Sequence, residues 1–299
     1  MKIAYLVLAH RNPKVLKKTI ETLSCEESSF FIHIDKKTDI NEFSEIRGRN
    51  IYFIEERIPV YWGDYSMVQA ITMLIQRALN APQDYDYLIL LSGSDYPIRD
   101  KEYIHTFFER NRGVEFISIT KIPGKGKPIS LINTYRVSAN KPIRQYIVRI
   151  LARLGLAQRN YKKYLGNMEP YAGSTWWALS RDACQYILDF VNNQQSICKY
   201  YENTFACDEM LFHTIMGNSI YRSQIRRNVM YDDWTNQGAH PELIGEYNIQ
   251  LFEEKENIIF SDMYGSGEML FARKFSDNNL AVVQQIDDMI RQKRSHVID

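Results

Sequence analysis

The sequence feature that most constrains the fold is a short apolar run within residues 85–100 that stops abruptly. Residues 87–91 are uninterrupted apolar and aromatic side chains, a pattern typical of a strand buried on both faces within a parallel sheet. Three small residues and then Asp95 follow, and Pro97 prevents the strand from continuing. Because open α/β sheets bind ligands at the carboxyl ends of their strands, the run predicts a site at Asp95. The alternative is a tight turn in which Asp95 caps the next helix.

Strand-like runs alternate with helix-like spacings along the chain. The strand-like runs are residues 3–9, 30–34, 51–54, 87–91, 114–119 and 176–179. Asn12 and Pro13 predict the N-cap and the first residue of the first helix. The alternation predicts one α/β domain with a Rossmann-type, mostly parallel sheet flanked by helices.

Residues 121–168 differ in composition from the rest, with eleven Lys and Arg and no Asp or Glu. Within them, residues 141–163 predict a basic amphipathic helix. Such a helix can lie on an anionic membrane, or it can bury its apolar face in the core and leave its cations in water. The net charge of the whole chain is only +1, which argues against a nucleic-acid partner.

Composition also bears on location. No apolar run approaches the ~20 residues that span a bilayer. Strand-like sequence begins at residue 3 without a basic leader, so we expect no signal peptide. The four cysteines show no metal-binding spacing and are expected to be free thiols. These features predict a cytoplasmic protein, with peripheral contact at the inner face of the membrane as the open alternative.

Several side chains are candidates for a site. Asp35 ends the second strand, where a carboxylate can bind a ribose or a base, or can simply cap the strand. No glycine-rich loop follows the first strand, so a dinucleotide cofactor is not expected. Trp176 and Trp177 alternate along a strand, so one can face a cleft while the other is in the core.

A second group of candidates carries charge. Asp208 and Glu209 open a predicted helix, with Asp208 as the N-cap and Glu209 in the first turn. The helix dipole would keep Glu209 ionised, as a general base must be, although acidic residues are also ordinary at helix starts. Arg273 and Lys274 lie between aromatic residues and can clamp phosphates, or they can form a basic surface turn.

Seven short motifs occur in a fixed order between residues 3 and 275. They are Tyr5-Leu6-Val7-Leu8-Ala9-His10, Ile32-His33-Ile34-Asp35, Val60-Tyr61-Trp62-Gly63, Ser92-Gly93-Ser94-Asp95-Tyr96-Pro97-Ile98, Gly173-Ser174-Thr175-Trp176-Trp177-Ala178-Leu179-Ser180-Arg181, Asp208-Glu209 and Leu270-Phe271-Ala272-Arg273-Lys274-Phe275. As an ordered set they resemble the core 2/I-branching enzymes, the family-14 glycosyltransferases, which include the peptide O-xylosyltransferases.

The resemblance implies a GT-A-like fold and an inverting transfer of a sugar, expected to be N-acetylglucosamine, from a UDP-sugar to a hydroxyl of a glycan or glycoconjugate. It also implies that the transfer requires no cofactor and no metal ion. Residues 1–120 would be the nucleotide-binding half and residues 121–168 a basic helical insertion. Residues 169–299 would be the acceptor-binding and catalytic half with a C-terminal extension. The alternatives are a xylosyltransferase of the same family, a metal-dependent GT-A transferase, and a non-catalytic nucleotide- or sugar-binding protein.

The resemblance also implies roles for individual residues. Glu209 falls on the general base, Lys274 on the diphosphate ligand, Asp35 near the nucleotide, and Trp234 at the acceptor site. The remaining nucleotide-side residues are expected to be Leu8, His10 and Arg273. The remaining sugar-side residues are expected to be Trp62, Asp95, Ser174, Trp176, Trp177 and Asp208.

The sequence departs from the family at two points. Animal members carry a second diphosphate ligand, an Arg, at a spacing where this chain has Leu251. The candidates to replace it are Arg222, Arg226, Arg227 and Arg273. The membrane anchor and luminal disulfides of the animal enzymes are also missing, which fits a bacterial-type cytoplasmic member.

One motif suggests a metal site that we do not expect. Asp84 and Asp86 form an Asp-x-Asp pair, the motif by which many GT-A enzymes hold a metal ion on the diphosphate. Both precede the strand at residues 87–91, whose length puts them roughly 16 Å from its carboxyl end. We therefore predict no metal site at this pair.

Overall fold

The computed structural model describes residues 1–138, 141–236, 238 and 240–295. The strands are β1 (Ile3–Ala9), β2 (Ser28–Ile34), β3 (Ile51–Phe53), β4 (Tyr87–Ser92), β5 (Asp95–Pro97), β6 (Glu115–Lys121), β7 (Tyr171–Ser180), β8 (Ile225–Arg226), β9 (Met230–Asp232), β10 (Ile259–Asp262), β11 (Gly265–Glu268) and β12 (Phe271–Arg273). The helices are α1 (Pro13–Leu23), α2 (Tyr65–Leu79), α3 (Lys101–Arg110), α4 (Ser130–Asn133), α5 (Pro142–Arg153), α6 (Lys162–Leu165), α7 (Arg181–Asn193), α8 (Gln195–Tyr201), α9 (Leu211–Gly217), α10 (Glu246–Glu253) and α11 (Leu280–Ser295). Short 3₁₀ helices lie at Ile40–Phe43, Cys207–Glu209, Arg222–Gln224 and Asp277–Asn279.

The central sheet has the order β3-β2-β1-β4-β7-β6-β8. Strands β1 to β4 run parallel, and β7 runs antiparallel to both of its neighbours, β4 and β6. The run at residues 87–91 lies in β4 and is buried on both faces. The predicted mostly parallel α/β sheet with flanking helices is therefore confirmed. No helix in the described parts of the chain is both long and apolar enough to cross a membrane.

A small second sheet joins the end of β4 to the C-terminal region. Strand β12 pairs antiparallel with β5 and parallel with β9. In this register Arg273 lies opposite Asp95 on one side and Asp232 on the other. A separate apolar cluster beneath this sheet buries Tyr96 and Phe252, and it anchors α10 and α11.

The start of α1 is built differently from the prediction. Asn12 occupies the N-cap position with left-handed backbone angles, φ 59°, but its side chain caps no helix amide. That side chain instead donates to Ser94 Oγ at 2.7 Å and to the Phe275 carbonyl at 3.2 Å. The first-turn amides of α1 are satisfied by the carboxylate of Asp277, which accepts from Val15 N at 2.8 Å. Asn12 therefore ties three loops together, and the capping group comes from the far end of the chain.

Gly173 lies at an irregularity between β6 and β7, where a side chain cannot be accommodated. A Cβ atom on Gly173 would lie 1.6 Å from the carbonyl oxygen of Ser118 and 2.6 Å from the ring of His213. We expect Gly173→Ala to lower the free energy of unfolding by more than about 2 kcal/mol, because two packed strands would have to separate. Urea denaturation monitored by circular dichroism measures this change.

The control for this substitution is Gly48→Ala. A Cβ there meets only the flexible end of the Ile51 side chain, at 3.0 Å, in an exposed loop. We expect this control to change the free energy of unfolding by less than about 0.5 kcal/mol. Equal effects of the two substitutions would contradict the account of the β6–β7 contact.

Candidate active site

A cavity of about 960 Å³ opens where β1, β2 and β4 end, at the carboxyl edge of the parallel strands. The position agrees with the prediction from the sequence. The predicted site residues that line it are Leu8, His10, Asp35, Trp62, Ser174, Trp176, Asp208, Glu209, Trp234, Arg273 and Lys274. Two predicted site residues, Asp95 and Trp177, do not line it.

Asp35 is fixed at the end of β2 by a dense set of donors. Its carboxylate accepts from the Lys37 amide at 2.9 Å, the Lys37 ammonium at 2.6 Å and the Val60 amide at 3.3 Å. Burial opposes ionisation of Asp35, but the bonds from Lys37 and Val60 outweigh it and lower the pKa of this carboxyl. An ionised carboxylate is therefore held in place at the cavity wall, able to accept from a ribose hydroxyl or a base.

Arg273 lines the cavity, but its side chain is mostly buried and is held by two carboxylates. Its Nε lies 3.2 Å from Asp95 Oδ1 and 3.8 Å from Asp232 Oδ1, and its guanidinium stacks 4.1 Å from the centre of the Trp176 ring. Asp95 is completely buried, and its other contacts are the amide and hydroxyl of Ser92. Asp95 therefore does not line the cavity, and it does not cap the next helix. It anchors Arg273, and Asp100 caps α3 instead.

Lys274 lies at the cavity surface beside other cations. Burial lowers the pKa of Lys274, and the nearby charges of Arg273 and Arg11 lower it further. Within the described ranges, the Lys274 ammonium has no carboxylate within 4.0 Å. Arg11 and His10 also line the cavity, and both follow β1. Sequence reasoning missed Arg11, although its position directly after a strand end was a usable signal.

The other arginines considered for the diphosphate lie in different places. Arg227 lines the cavity but is paired with Asp262 at 2.7 Å. Arg222 and Arg226 are outside the cavity lining. Asp84 and Asp86 are at the amino end of β4, where they pair with Arg181 at 3.2 Å and Arg112 at 3.1 Å. The predicted separation of this acidic pair from the site is confirmed.

Glu209 sits in a setting that the sequence did not predict. The helix expected at Asp208 begins later, as α9, and Glu209 ends a 3₁₀ turn before it. A helix dipole is therefore not the source of its charge stabilisation. Lys127, from a turn after β6, places its ammonium 3.5 Å from Glu209 Oε2. Burial raises the pKa of Glu209 above its usual value, and the charges of Lys127 and then Arg273 offset only part of this rise.

Asp208 does not act as the predicted N-cap either. It is buried, and its Oδ2 accepts from the hydroxyl of Thr175 at 2.7 Å. Its Oδ1 has no hydrogen-bond partner among the described residues, although Asp208 lines the cavity. Burial and then the charge of Glu209 raise the pKa of Asp208 to about 7. Near neutral pH, one proton can therefore reside beside Glu209.

Aromatic side chains form much of the rest of the cavity. As alternation predicts, Trp176 faces the cavity while Trp177 packs in the core against Phe212. Trp62 and Trp234 are 62% and 49% exposed at the cavity mouth, where flat amphipathic rings can stack on sugars. The tip of the β10–β11 hairpin adds Met263 and Tyr264 to the wall.

Comparisons with known proteins agree with these observations. A family model described as Core-2/I-Branching enzyme matches residues 3–256. The β-glucuronosyltransferase GlcAT14A of Arabidopsis thaliana is 24% identical over 309 residues, covering 96% of this chain and 64% of the relative. A xylosyltransferase of Ciona intestinalis is 25% identical over 305 residues, covering 96% and 34%. Human xylosyltransferase 2 is 24% identical over 253 residues, covering 79% and 27%.

The chain therefore spans less than two thirds of the length of each of these relatives. Among solved structures, that of mouse xyloside xylosyltransferase 1 in its apo form gives a TM-score of 0.38 at 12% identity. The match covers 90% of this chain and 97% of the mouse chain.

The raised pKa of Asp208 makes the stability of the protein depend on pH. An unfolded Asp ionises near pH 4, whereas folded Asp208 holds its proton to about pH 7. The contribution of Asp208 to the free energy of unfolding is therefore fully present below pH 4 and is lost as pH rises through 7. We expect Asp208→Asn, which keeps an acceptor for Thr175, to be more stable than the wild type at pH 8 by a margin that shrinks towards pH 4.

Urea denaturation across this pH range measures the difference between Asp208→Asn and the wild type. Asp182→Asn, at an acidic residue in the first turn of α7, is the control and should show no such trend. A constant difference between Asp208→Asn and the wild type at all pH values would contradict the raised pKa.

Proposed function

Because this chain belongs to the Core-2/I-branching enzyme family, we propose that it is an inverting glycosyltransferase acting from a UDP-sugar on a hydroxyl of a glycan or glycoconjugate. The observation that carries the proposal is that two charged groups line one cavity: a partly exposed carboxylate, Glu209, and a cation, Lys274, that has no ion-pair partner among the described residues. A protein that only binds a nucleotide or a sugar needs neither a base nor a positive charge at a leaving group.

In the proposed reaction, Glu209 is the general base. It removes the proton of the acceptor hydroxyl while that oxygen attacks the anomeric carbon from the face opposite UDP, and the configuration inverts. The carbon passes through an oxocarbenium-like state, as in glycoside chemistry generally. Lys127 opposes the effect of burial on the Glu209 pKa, so it supports the ionised form that the base requires.

The leaving diphosphate is proposed to bind at Lys274 and Arg11. Burial lowers the pKa of Lys274, and the charges of Arg273 and Arg11 lower it further, so these three cations repel one another in the free protein. A bound diphosphate relieves this repulsion, and the charge it gains on departure strengthens the contacts in the transition state. The positive charge of Arg273, which Asp95 and Asp232 hold in place, is proposed to attract the diphosphate as well.

The proposed reaction uses no metal ion, because these cations take the place of one at the diphosphate.

The proposed donor sugar is N-acetylglucosamine, which follows from the resemblance of the motifs, with xylose as the alternative. Two named relatives are a xylosyltransferase and a glucuronosyltransferase, so UDP-glucuronic acid is a third donor to compare. Release of UDP from each of the three UDP-sugars identifies the donor. Absence of release with every UDP-sugar and acceptor tried would favour a binding protein.

The proposal includes a place of action in the cytoplasm, at the inner face of a membrane that presents a lipid-linked or cell-envelope acceptor. The observation in its favour is that α5 exposes apolar side chains next to cations.

The base assignment is tested with Glu209→Gln. We expect kcat to fall on the order of 10²-fold or more, because the amide cannot take the acceptor proton, while the Kd for UDP stays within about twofold. UDP release measures turnover, and isothermal titration measures UDP binding. Glu26→Gln, at an exposed residue outside the cavity lining, is the control and should behave as the wild type. Near-normal transfer by Glu209→Gln would remove Glu209 from this role.

The cation assignment is tested with Lys274→Ala and with chelation. We expect Lys274→Ala to lower kcat/KM on the order of 10²-fold, as loss of one preorganised transition-state contact does. Transfer by the wild type should persist in EDTA, and Asp86→Asn should leave it nearly unchanged. Lys2→Ala, at an exposed residue outside the cavity lining, is the matched control. Loss of activity on chelation with recovery in Mn²⁺ would contradict the cation account and favour a metal-dependent transferase.

A further inference from the structure

Helix α5 presents an apolar stripe that the rest of the described chain leaves uncovered. The stripe consists of Ile143, Ile147, Ile150 and Leu154, whose spacing puts them on one face of the helix. Their exposed fractions are 78%, 50%, 40% and 66%. Leu156, just beyond the helix, is 70% exposed and extends the same region. The arrangement in which the apolar face is buried in the core is therefore not the one observed.

Cations occur on α5 and in α6, the next helix along the chain. They are Lys141, Arg144, Arg149, Arg153, Lys162 and Lys163, all exposed. Within the ranges the structure describes, none of the six forms an ion pair, and residues 121–168 contain no Asp or Glu to neutralise them. Arg159 differs from them, because it is built into the fold. It donates to carbonyls of Tyr200 and Asn203 and stacks 3.6 Å from the centre of the Tyr200 ring.

We propose that α5, with its apolar stripe and these six cations, docks the protein on an anionic lipid bilayer. The stripe enters the boundary between headgroups and acyl chains, and the cations meet lipid phosphates within the screening distance of about 8 Å at physiological salt. A second copy of this chain would place the same cations against one another across a two-fold axis. A nucleic acid would neutralise the cations but leave the stripe in water. Of these three occupants, an anionic bilayer is the one that matches both features.

The fold ties the segment that carries α5 to the segment that precedes the proposed base. The segment that carries α5 is closed at its foot by pairing of Thr134 with Gln158 and by a bond from Tyr135 N to the Ala157 carbonyl at 2.8 Å. Arg136 N donates to the carbonyl of Asn203 at 2.8 Å, a few residues before Glu209 in the chain. The docking surface is therefore joined to the segment that leads to the cavity. The idea that docking serves sugar transfer to an acceptor held in the membrane rests on the proposed function, whereas the lipid contact itself does not.

Vesicle flotation tests the proposal on the full chain without any UDP-sugar, so its outcome is independent of transferase activity. We expect retention at low salt on vesicles of phosphatidylcholine mixed with phosphatidylglycerol, and little retention on phosphatidylcholine alone. Ile143→Asp combined with Leu154→Asp should lower the partition coefficient on the order of tenfold or more. The charge reversals Arg144→Glu and Arg149→Glu, combined, should lower it similarly, and high salt should weaken binding.

The matched control is Ile220→Asp, at a residue that is 80% exposed and lies outside α5 and its apolar stripe. It should bind anionic vesicles as the wild type does, and circular dichroism should show the same fold for all variants. Failure of the wild type to float with anionic vesicles at low salt would overturn the proposal. So would equal loss of binding in Ile220→Asp, or a dimer in sedimentation that Ile143→Asp with Leu154→Asp abolishes without any binding to vesicles.

Discussion

The architecture of the site depends on one buried cation, the guanidinium of Arg273. It lies between Asp95 and Asp232 and stacks on Trp176, so it joins both outer strands of the small sheet to the central sheet. Burial raises the pKa of Asp232 to about 6, and Arg273 is the first of the charges that oppose this rise. Removing the guanidinium would leave Asp95, which is completely buried, close to Asp232 without a compensating charge, which is far more unfavourable than losing a surface pair. The same strand then delivers Lys274 to the cavity, so the position of the proposed diphosphate ligand follows from that of Arg273.

Much of this arrangement could be predicted from the chain, because it depends on local pattern. The apolar run of β4 and its abrupt end are enough to place a site at the carboxyl edge of the sheet. Alternation along β7 is enough to separate Trp176 from Trp177. The acidic pair at Asp84 and Asp86 could be set aside by counting strand residues. Each of these inferences uses distances within a single strand, which the sequence specifies directly.

The inferences that failed depend on contacts between distant segments. The sequence predicts Asp208 as an N-cap. Its carboxylate instead accepts a hydrogen bond from the hydroxyl of Thr175 on β7, and the helix begins later. Asn12 also has the form of an N-cap, yet Asp277 supplies the capping carboxylate and frees the Asn12 side chain to join three loops. Lys127 reaches Glu209 from 82 residues away in the chain, so no local spacing could have indicated it. In each case a tertiary partner outcompetes the local preference that the sequence shows.

The relation between Asp208 and Glu209 bears on how the proposed base, Glu209, can stay ionised without a helix dipole. Two neighbouring carboxylates cannot both ionise at low energy in a buried site, so their environments must separate the two pKa values. Asp208 is the more buried of the two, accepts from one hydroxyl only, and is pushed towards its protonated form by Glu209. Glu209 is partly exposed and faces the ammonium of Lys127, which opposes the effect of burial. This difference favours protonation of Asp208 over protonation of Glu209, which is the carboxylate proposed to act as the base. Because the two groups titrate as a pair, a change at Asp208 alters the proton affinity of Glu209 even though only Glu209 is proposed to touch the reacting hydroxyl.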